Sequence, residues 1–184
     1  MEPWKTIARH TLIEKRPFLI VENHVVELHD GRLILDWPWI ITPDYVNVAA
    51  ITREDTFLCF RQTKYGVDGI SLAPVGGYME PGETALAAAQ RELLEETGYE
   101  APEWVDLGRY RVDANRGVGT GYFWLARRAY QVTKPQPDDL EEQVPLQLSR
   151  AEVELAMGKG EYKVMAWAAV MAMALLYLNN ESKQ

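Results

Sequence analysis

At 184 residues, 47% hydrophobic and 25% charged, the chain is sized for one domain with at most an appendage. Its formal net charge of -8 excludes general nucleic-acid binding, which needs a basic surface, but admits a small anionic substrate bridged to the protein by a cation. The single cysteine, Cys59, excludes an intramolecular disulfide and fits a reducing, cytoplasmic setting.

Residues 1–10 hold no apolar stretch of signal-peptide length. An N-terminal, strand-rich extension is expected over residues 1–44, with short strands at Phe18–Val21, Val25–Leu28 and Arg32–Leu35. His29-Asp30-Gly31 reads as the turn between the last two. Trp37 and Trp39, in Asp36-Trp37-Pro38-Trp39, read as aromatics in a turn between strands. A main domain is expected over 45–184. It opens with a hairpin, Tyr45–Thr52 and Thr56–Phe60, around Arg53-Glu54-Asp55; Cys59 lies in its apolar run and reads as a buried structural thiol. A strand at Ile70–Ala73 follows, then the clearest helix, Thr84–Thr97, with Glu83 at its start and Gly98 just past its end. Strands are expected at Trp104–Val112, Gly121–Tyr130 and near Val144–Leu148. The linker-like stretch is Lys134–Asp139, broken by Pro135 and Pro137. Ser149-Arg150-Ala151-Glu152 resembles a capping box. The apolar run Val164–Leu178 is about five residues short of a typical membrane span and reads as a buried helix or a subunit interface. The order of elements gives a mixed α+β fold.

The chemistry concentrates around the first helix. At about 100° per residue, Glu92, Glu95 and Glu96 share one face, where like charges repel by a few tenths of a kcal/mol, roughly, per pair. Oxygen-only ligands so arranged suit a hard cation, Mg²⁺ or Mn²⁺. Ala85, Ala88 and Ala89 are expected to leave room for a loop or substrate, while Leu86 and Leu93 anchor the helix. Arg91 can reach Glu95, and Glu83 through a folded loop. Gly76-Gly77 reads as a turn with access to positive φ; Pro81-Gly82 reads as a second tight turn delivering Glu83.

The spacing of Gly77, Glu83, Arg91, Glu92, Leu93, Glu95, Glu96 and Gly98 resembles the signature of the Nudix hydrolase superfamily. Tyr99 stands where that signature usually holds an aliphatic residue. The resemblance implies an α/β/α sandwich around a mixed sheet, divalent cations on the signature helix, and hydrolysis of a nucleoside diphosphate linked to another moiety. It extends, less specifically, to the ADP-ribose pyrophosphatase-like branch: the N-terminal extension, Arg61-Gln62-Thr63-Lys64-Tyr65, and the acidic Asp138-Asp139-Leu140-Glu141-Glu142 upstream of Ser149. The chain departs from that branch in Pro74-Val75-Gly76-Gly77 and in the loop Asp113–Gly119.

Glu92 and Glu96, with Glu95 completing the cluster, are the expected metal ligands, Glu141 is counted with them, and the Gly76 carbonyl is added by the resemblance. The general base is expected on a segment that closes over the substrate; Glu141 fits best, with Asp139, Glu142 and Glu95 as alternatives. Trp39 is expected to meet the nucleobase, and Arg61 and Arg116 the phosphates, with Gly77 beside them. Branch members build the base pocket from both subunits, so a homodimer crossing through residues 1–44 is expected. A nucleoside triphosphate pyrophosphohydrolase and a non-catalytic nucleotide sensor are the two other classes weighed. The extension argues against the first, and the intact glutamates against the second.

Overall fold

The computed structural model describes residues 2–136 and 141–181, which divide between two units, Met1–Asp44 with Tyr110–Thr120, and Tyr45–Arg109 with Gly121–Gln184.

The first unit is a three-stranded antiparallel sheet, β1 (Lys5–Lys15), β2 (Leu19–Glu27) and β3 (Leu33–Ile41), in the order β1-β2-β3. The strand at Lys5–Lys15 is absent from the sequence reading, and its pairing shows why. Register shifts between Thr6 and Ala8 and between Thr11 and Ile13 break the strict alternation by which a strand is recognised. The two short strands expected at Phe18–Val21 and Val25–Leu28 are one continuous strand, and Trp37 and Trp39 lie within β3 rather than in a turn. Alternation turns both indoles to one face of β3, while Pro38, facing the other way, is tolerated because β3 pairs only with β2. Segment 110–120 is fastened to this unit: the Trp37 indole donates to the Asn115 carbonyl at 2.9 Å, and Thr120 N–H donates to the Asp44 carboxylate at 2.7 Å.

The second unit is built on an eight-stranded mixed sheet. Its strands are β4 (Tyr45–Thr52), β5 (Thr56–Gln62), β6 (Ser71–Ala73), β7 (Val75–Tyr78), β8 (Tyr99–Glu100), β9 (Glu103–Arg111), β10 (Thr120–Gln131) and β11 (Gln143–Ser149). The backbone path runs β11-β5-β4-β10-β8, with β10 parallel to β4. Beyond Ala50–Ile51, where β4 meets β5, the two strands separate; β7 pairs with β4 and β6 with β5. The helices are α1 (Ala85–Thr97), α2 (Arg150–Gly158) and α3 (Met165–Glu181).

Side chains alternate across β5, and that alternation separates two cores. Phe57 and Cys59 face α2 and α3, whereas Leu58 and Phe60 pack with α1 residues. The result is a sheet between helices, the α/β/α layering expected. Helix α1 seals its side with Ala88, Ala89 and Leu93, all fully buried against Val46, Val48, Phe60 and Val75. Ala88 and Ala89 therefore face the sheet rather than an open space for substrate, and Leu86 is half-buried. Burying Leu93 stabilises by about 1.5–3 kcal/mol. Small residues bring the α1 backbone close to the strands, which is what places the glutamates beside β7.

Local chemistry sets the helix ends. Thr84 caps α1, its hydroxyl accepting from Ala87 N–H at 3.2 Å. Ser149 and Glu152 form the capping box of α2, and Glu152 is held below its ordinary pKa by hydrogen bonds from the Ser149 hydroxyl and N–H. In α3, Val170, Met171 and Ala174 are fully buried. Among the described residues no helix is long and apolar enough to cross a membrane. Burial pushes the Cys59 thiol up to about 11, which suits a structural group beside the Tyr162 hydroxyl at 3.3 Å.

Gly98 ends α1 in the left-handed region, with φ 74°, and its N–H donates to the Leu94 carbonyl at 2.8 Å. A Cβ there would lie 2.2 Å from the Thr133 carbonyl oxygen. Gly98→Ala is therefore expected to destabilise the protein by more than the 1–2 kcal/mol, roughly, of the left-handed conformation alone. Denaturant midpoints compared at equal m would check this; an unchanged midpoint would refute the cap assignment.

Candidate active site

The site starts on a strand with no side chains to spare. Gly76 and Gly77 belong to β7, opposite Asn47 and Val46 of β4. The sequence suggested a positive-φ turn here, but neither residue is among the positive-φ glycines; that role falls to Gly82, with φ 84°, in the Pro81-Gly82 turn. The requirement at 76 and 77 is close approach. A Cβ on Gly76 would stand 2.3 Å from the Val46 carbonyl oxygen and 2.7 Å from Asn47 Oδ1. One on Gly77 would stand 2.3 Å from Glu92 Oε1.

Helix α1 lays its carboxylates against this strand. Glu96 is 9% exposed, and its Oε2 accepts from Gly76 N–H at 3.0 Å. The Glu92 side chain is 12% exposed and the Glu95 side chain 47%, so Glu95 is the solvent-facing member of the three. Between them sits Arg91. Its Nε donates to Glu83 Oε1 at 3.0 Å, and its Nη1 to Glu92 Oε1 at 2.8 Å and Glu95 Oε2 at 3.0 Å. Its Nη2 donates to Glu83 Oε2 at 3.1 Å and to the Tyr78 carbonyl at 3.0 Å. A guanidinium has five N–H donors, and these bonds use them all. Both expected partners of Arg91, Glu83 and Glu95, are present; Glu92 and the Tyr78 carbonyl were not anticipated, since only the fold brings β7 under the guanidinium.

The electrostatics follow. Hydrogen bonds to Glu83, Glu95 and Glu92 push the Arg91 pKa further up, and the Arg91 hydrogen bonds hold the Glu83 carboxyl below its ordinary range. One guanidinium nevertheless pairs with three carboxylates, Glu83, Glu92 and Glu95, so the site keeps a surplus of negative charge. Among the described residues no three acidic, histidine or cysteine side chains converge as a ready cage for a metal. The donor set still fits a hard divalent cation: Glu92 and Glu96 are oxygen ligands, held nearly out of solvent against a bare strand.

The remaining candidates are distributed as follows. Glu141 pairs with Lys64 at 2.9 Å, each side chain about a third exposed (30% and 31%). The pair lies one alternation step beyond Gln62 and Gln143, which are opposite each other across β5 and β11. Gln62 and Gln143 face the same side of the sheet as Phe60 and α1. Glu142 is exposed, and Asp139 lies outside the described residues. Arg61 faces the other way, with Leu72 and toward α2, lining a shallow groove with Leu148, Glu152 and Glu161. Arg61, expected to meet the substrate phosphates, thus lies on the α2 side of β5, whereas Gln62 lies on the α1 side. The alternation Phe57-Leu58-Cys59-Phe60, carried two residues further, was the available signal.

In the first unit, Trp39 stacks on His24, centroids 4.9 Å apart and planes 20° apart, and His24 Nε2 lies 2.7 Å from Glu22 Oε2. Gly117 packs on the same indole, where a Cβ would come within 2.3 Å. Arg116 is paired with Asp113 at 2.7 Å. The Asp113 carboxyl is held low by the Asn115 N–H and by Arg116.

The family model for the NUDIX domain matches residues 42–168. The chain belongs to the Nudix family. It is a Nudix hydrolase acting on phosphoric anhydride bonds, in a family that generally uses divalent metals. A crystal structure of an ADP compounds hydrolase shares the fold at a TM-score of 0.82 and 17% identity, the match covering 100% of this chain and 98% of that one. No curated protein sequence matches the chain. Of the Nudix glutamates, Glu92 and Glu95 are thus held by the Arg91 guanidinium and Glu96 by the Gly76 N–H.

Because the folded Glu83 carboxyl titrates below its unfolded value of about 4.3, the stability it contributes is complete above that pH and is lost as pH falls through the folded pKa. In Glu83→Gln, the fall in Tm between about pH 5 and pH 3 should be shallower than in the native protein. Parallel Tm–pH curves for the two proteins would refute the assignment.

Proposed function

We propose that the protein hydrolyses the diphosphate of a nucleoside diphosphate linked to another group, ADP-ribose or a related nucleotide sugar, with Mg²⁺ as cofactor. The observation that carries this is the pair of nearly buried carboxylates, Glu92 and Glu96, seated on the Gly76-Gly77 strand with negative charge to spare. Two things support the substrate class: the sequence features of the ADP-ribose pyrophosphatase-like branch, and the fold shared with an ADP compounds hydrolase.

Glu92, Glu96 and the Gly76 carbonyl would hold the cation, with Glu95 at the rim. When bound, the cation offsets the charge of the diphosphate oxygens and eases deprotonation of the attacking water. Arg91 orients Glu92 and Glu95 and anchors the turn through Glu83. Gly77 leaves room for Glu92. Glu141 accepts the proton of the attacking water, and Lys64 fixes the position of its carboxylate. Water adds to one phosphorus and the anhydride oxygen leaves with the other, giving two monophosphates.

The same reading includes a homodimer formed through residues 1–44. The three-stranded sheet exposes Ile7, Leu12, Leu33 and Leu35, and its first turn exposes Phe18, more apolar surface than a small sheet leaves to water.

Two experiments check these proposals. Glu96→Gln should keep the native Tm and lower kcat for AMP release from ADP-ribose at least a hundredfold, on the order of 3 kcal/mol. In the same assay Glu141→Gln should lower kcat more than it raises KM. Normal turnover by Glu96→Gln would remove Glu96 from the site, and by Glu141→Gln would move the base elsewhere. Light scattering after size exclusion should give twice the chain mass of 21.0 kDa; a monomer mass at micromolar concentration would end the dimer proposal.

A further inference from the structure

Gln62 is buried at 6% exposure, at the end of β5. Its Oε1 meets no hydrogen-bond donor among the described residues. An unsatisfied buried carbonyl costs about 1–3 kcal/mol, and a sequence free to place an apolar residue here would avoid it. The alternation that sends Leu58 and Phe60 into the α1 core carries Gln62 to the same face, opposite Gln143 of β11. Two polar groups of the flanking segments are committed elsewhere. Ser71, opposite Gln62 on β6, donates its hydroxyl to the Leu72 and Glu161 carbonyls at 2.8 and 3.2 Å. Lys64 Nζ is held by Glu141.

We propose that Gln62 Oε1 is a substrate contact that accepts a hydrogen bond from an uncharged donor, a hydroxyl or an amine, on the organic part of the substrate. The chemistry selects the donor class. A side-chain carbonyl only accepts, and so do the oxygens of an ionised diphosphate, so the phosphates cannot be its partner. Sugar hydroxyls and base amines can. Gln62 would then favour substrates with such a donor over those without, because the unsatisfied acceptor is relieved only by them. This rests on the hydrolase reading above and adds a residue outside the signature to it.

Gln62→Met tests the proposal, because it keeps side-chain length and removes the acceptor. The Tm should be equal or higher. KM for ADP-ribose should rise up to about tenfold, the scale of one neutral hydrogen bond, with kcat within about twofold. The methyl ester of ADP, which lacks the second sugar, locates the donor. No penalty on that ester assigns it to the sugar hydroxyls, and an equal penalty assigns it to the nucleoside; either outcome supports the contact. An unchanged KM for both compounds overturns it, as does a lowered Tm with KM unchanged, which would make Gln62 structural. A native protein that turns over neither compound with Mg²⁺ overturns the substrate reading and this inference together, whereas native turnover equalled by Gln62→Met overturns this inference alone.

Discussion

The Arg91 guanidinium is the constraint on which the second unit is organised. Its five donors tie the turn before α1 through Glu83, the helix itself through Glu92 and Glu95, and the end of β7 through the Tyr78 carbonyl. Such a node forms only if the helix starts on time and lies close. Thr84 sets the first turn, and Ala88 and Ala89 allow the close approach. A longer side chain at either alanine would lift α1 from the sheet and pull the carboxylates off the glycine strand.

A second organising fact is the two-sidedness of the sheet. One segment, Arg61 to Lys64, distributes its side chains between opposite faces, so its charged and polar groups serve different surroundings. Arg61 looks toward α2, among carboxylates and leucines. Gln62 looks toward the helix that carries the acidic cluster, and Lys64 pairs with Glu141. The strand pairing of β5 with β11 ends beside Lys64 and Glu141, which are remote in sequence and form an ion pair. A basic residue in a motif is thus not interchangeable with its neighbour, since a shift of one position moves it through the sheet.

Much of this was legible in the sequence, and the part that was not has physical reasons. Helix α1, its cap at Gly98, the capping box at Ser149 and the hairpin before Gln62 follow from local spacing, which the fold leaves intact. The acidic face was legible because helical geometry fixes it without tertiary information. The glycine pair was misread because glycine has two uses, conformational freedom and absence of bulk, and only β4 and Glu92 reveal which one operates. Strand β1 was missed because its bulges place Ile7 beside Ala8 and Leu12 beside Ile13, which reads as no period at all. Trp37 and Trp39 were taken for turn residues because Pro38 sits between them, a reading that an edge strand escapes.

The Gly76-Gly77 pair carries a genetic consequence. One glycine presses on β4 and its Asn47, the other on the Glu92 carboxylate. Every missense change of a glycine codon adds at least one carbon to the backbone, so neither position has a conservative neighbour in codon space. At Gly76 the wall is the β4 backbone; at Gly77 a change would displace the Glu92 carboxylate instead. Lineages that adapt to new substrates must therefore accumulate their changes elsewhere, at strand ends such as that of β5, where side chains can be exchanged without touching the acidic cluster.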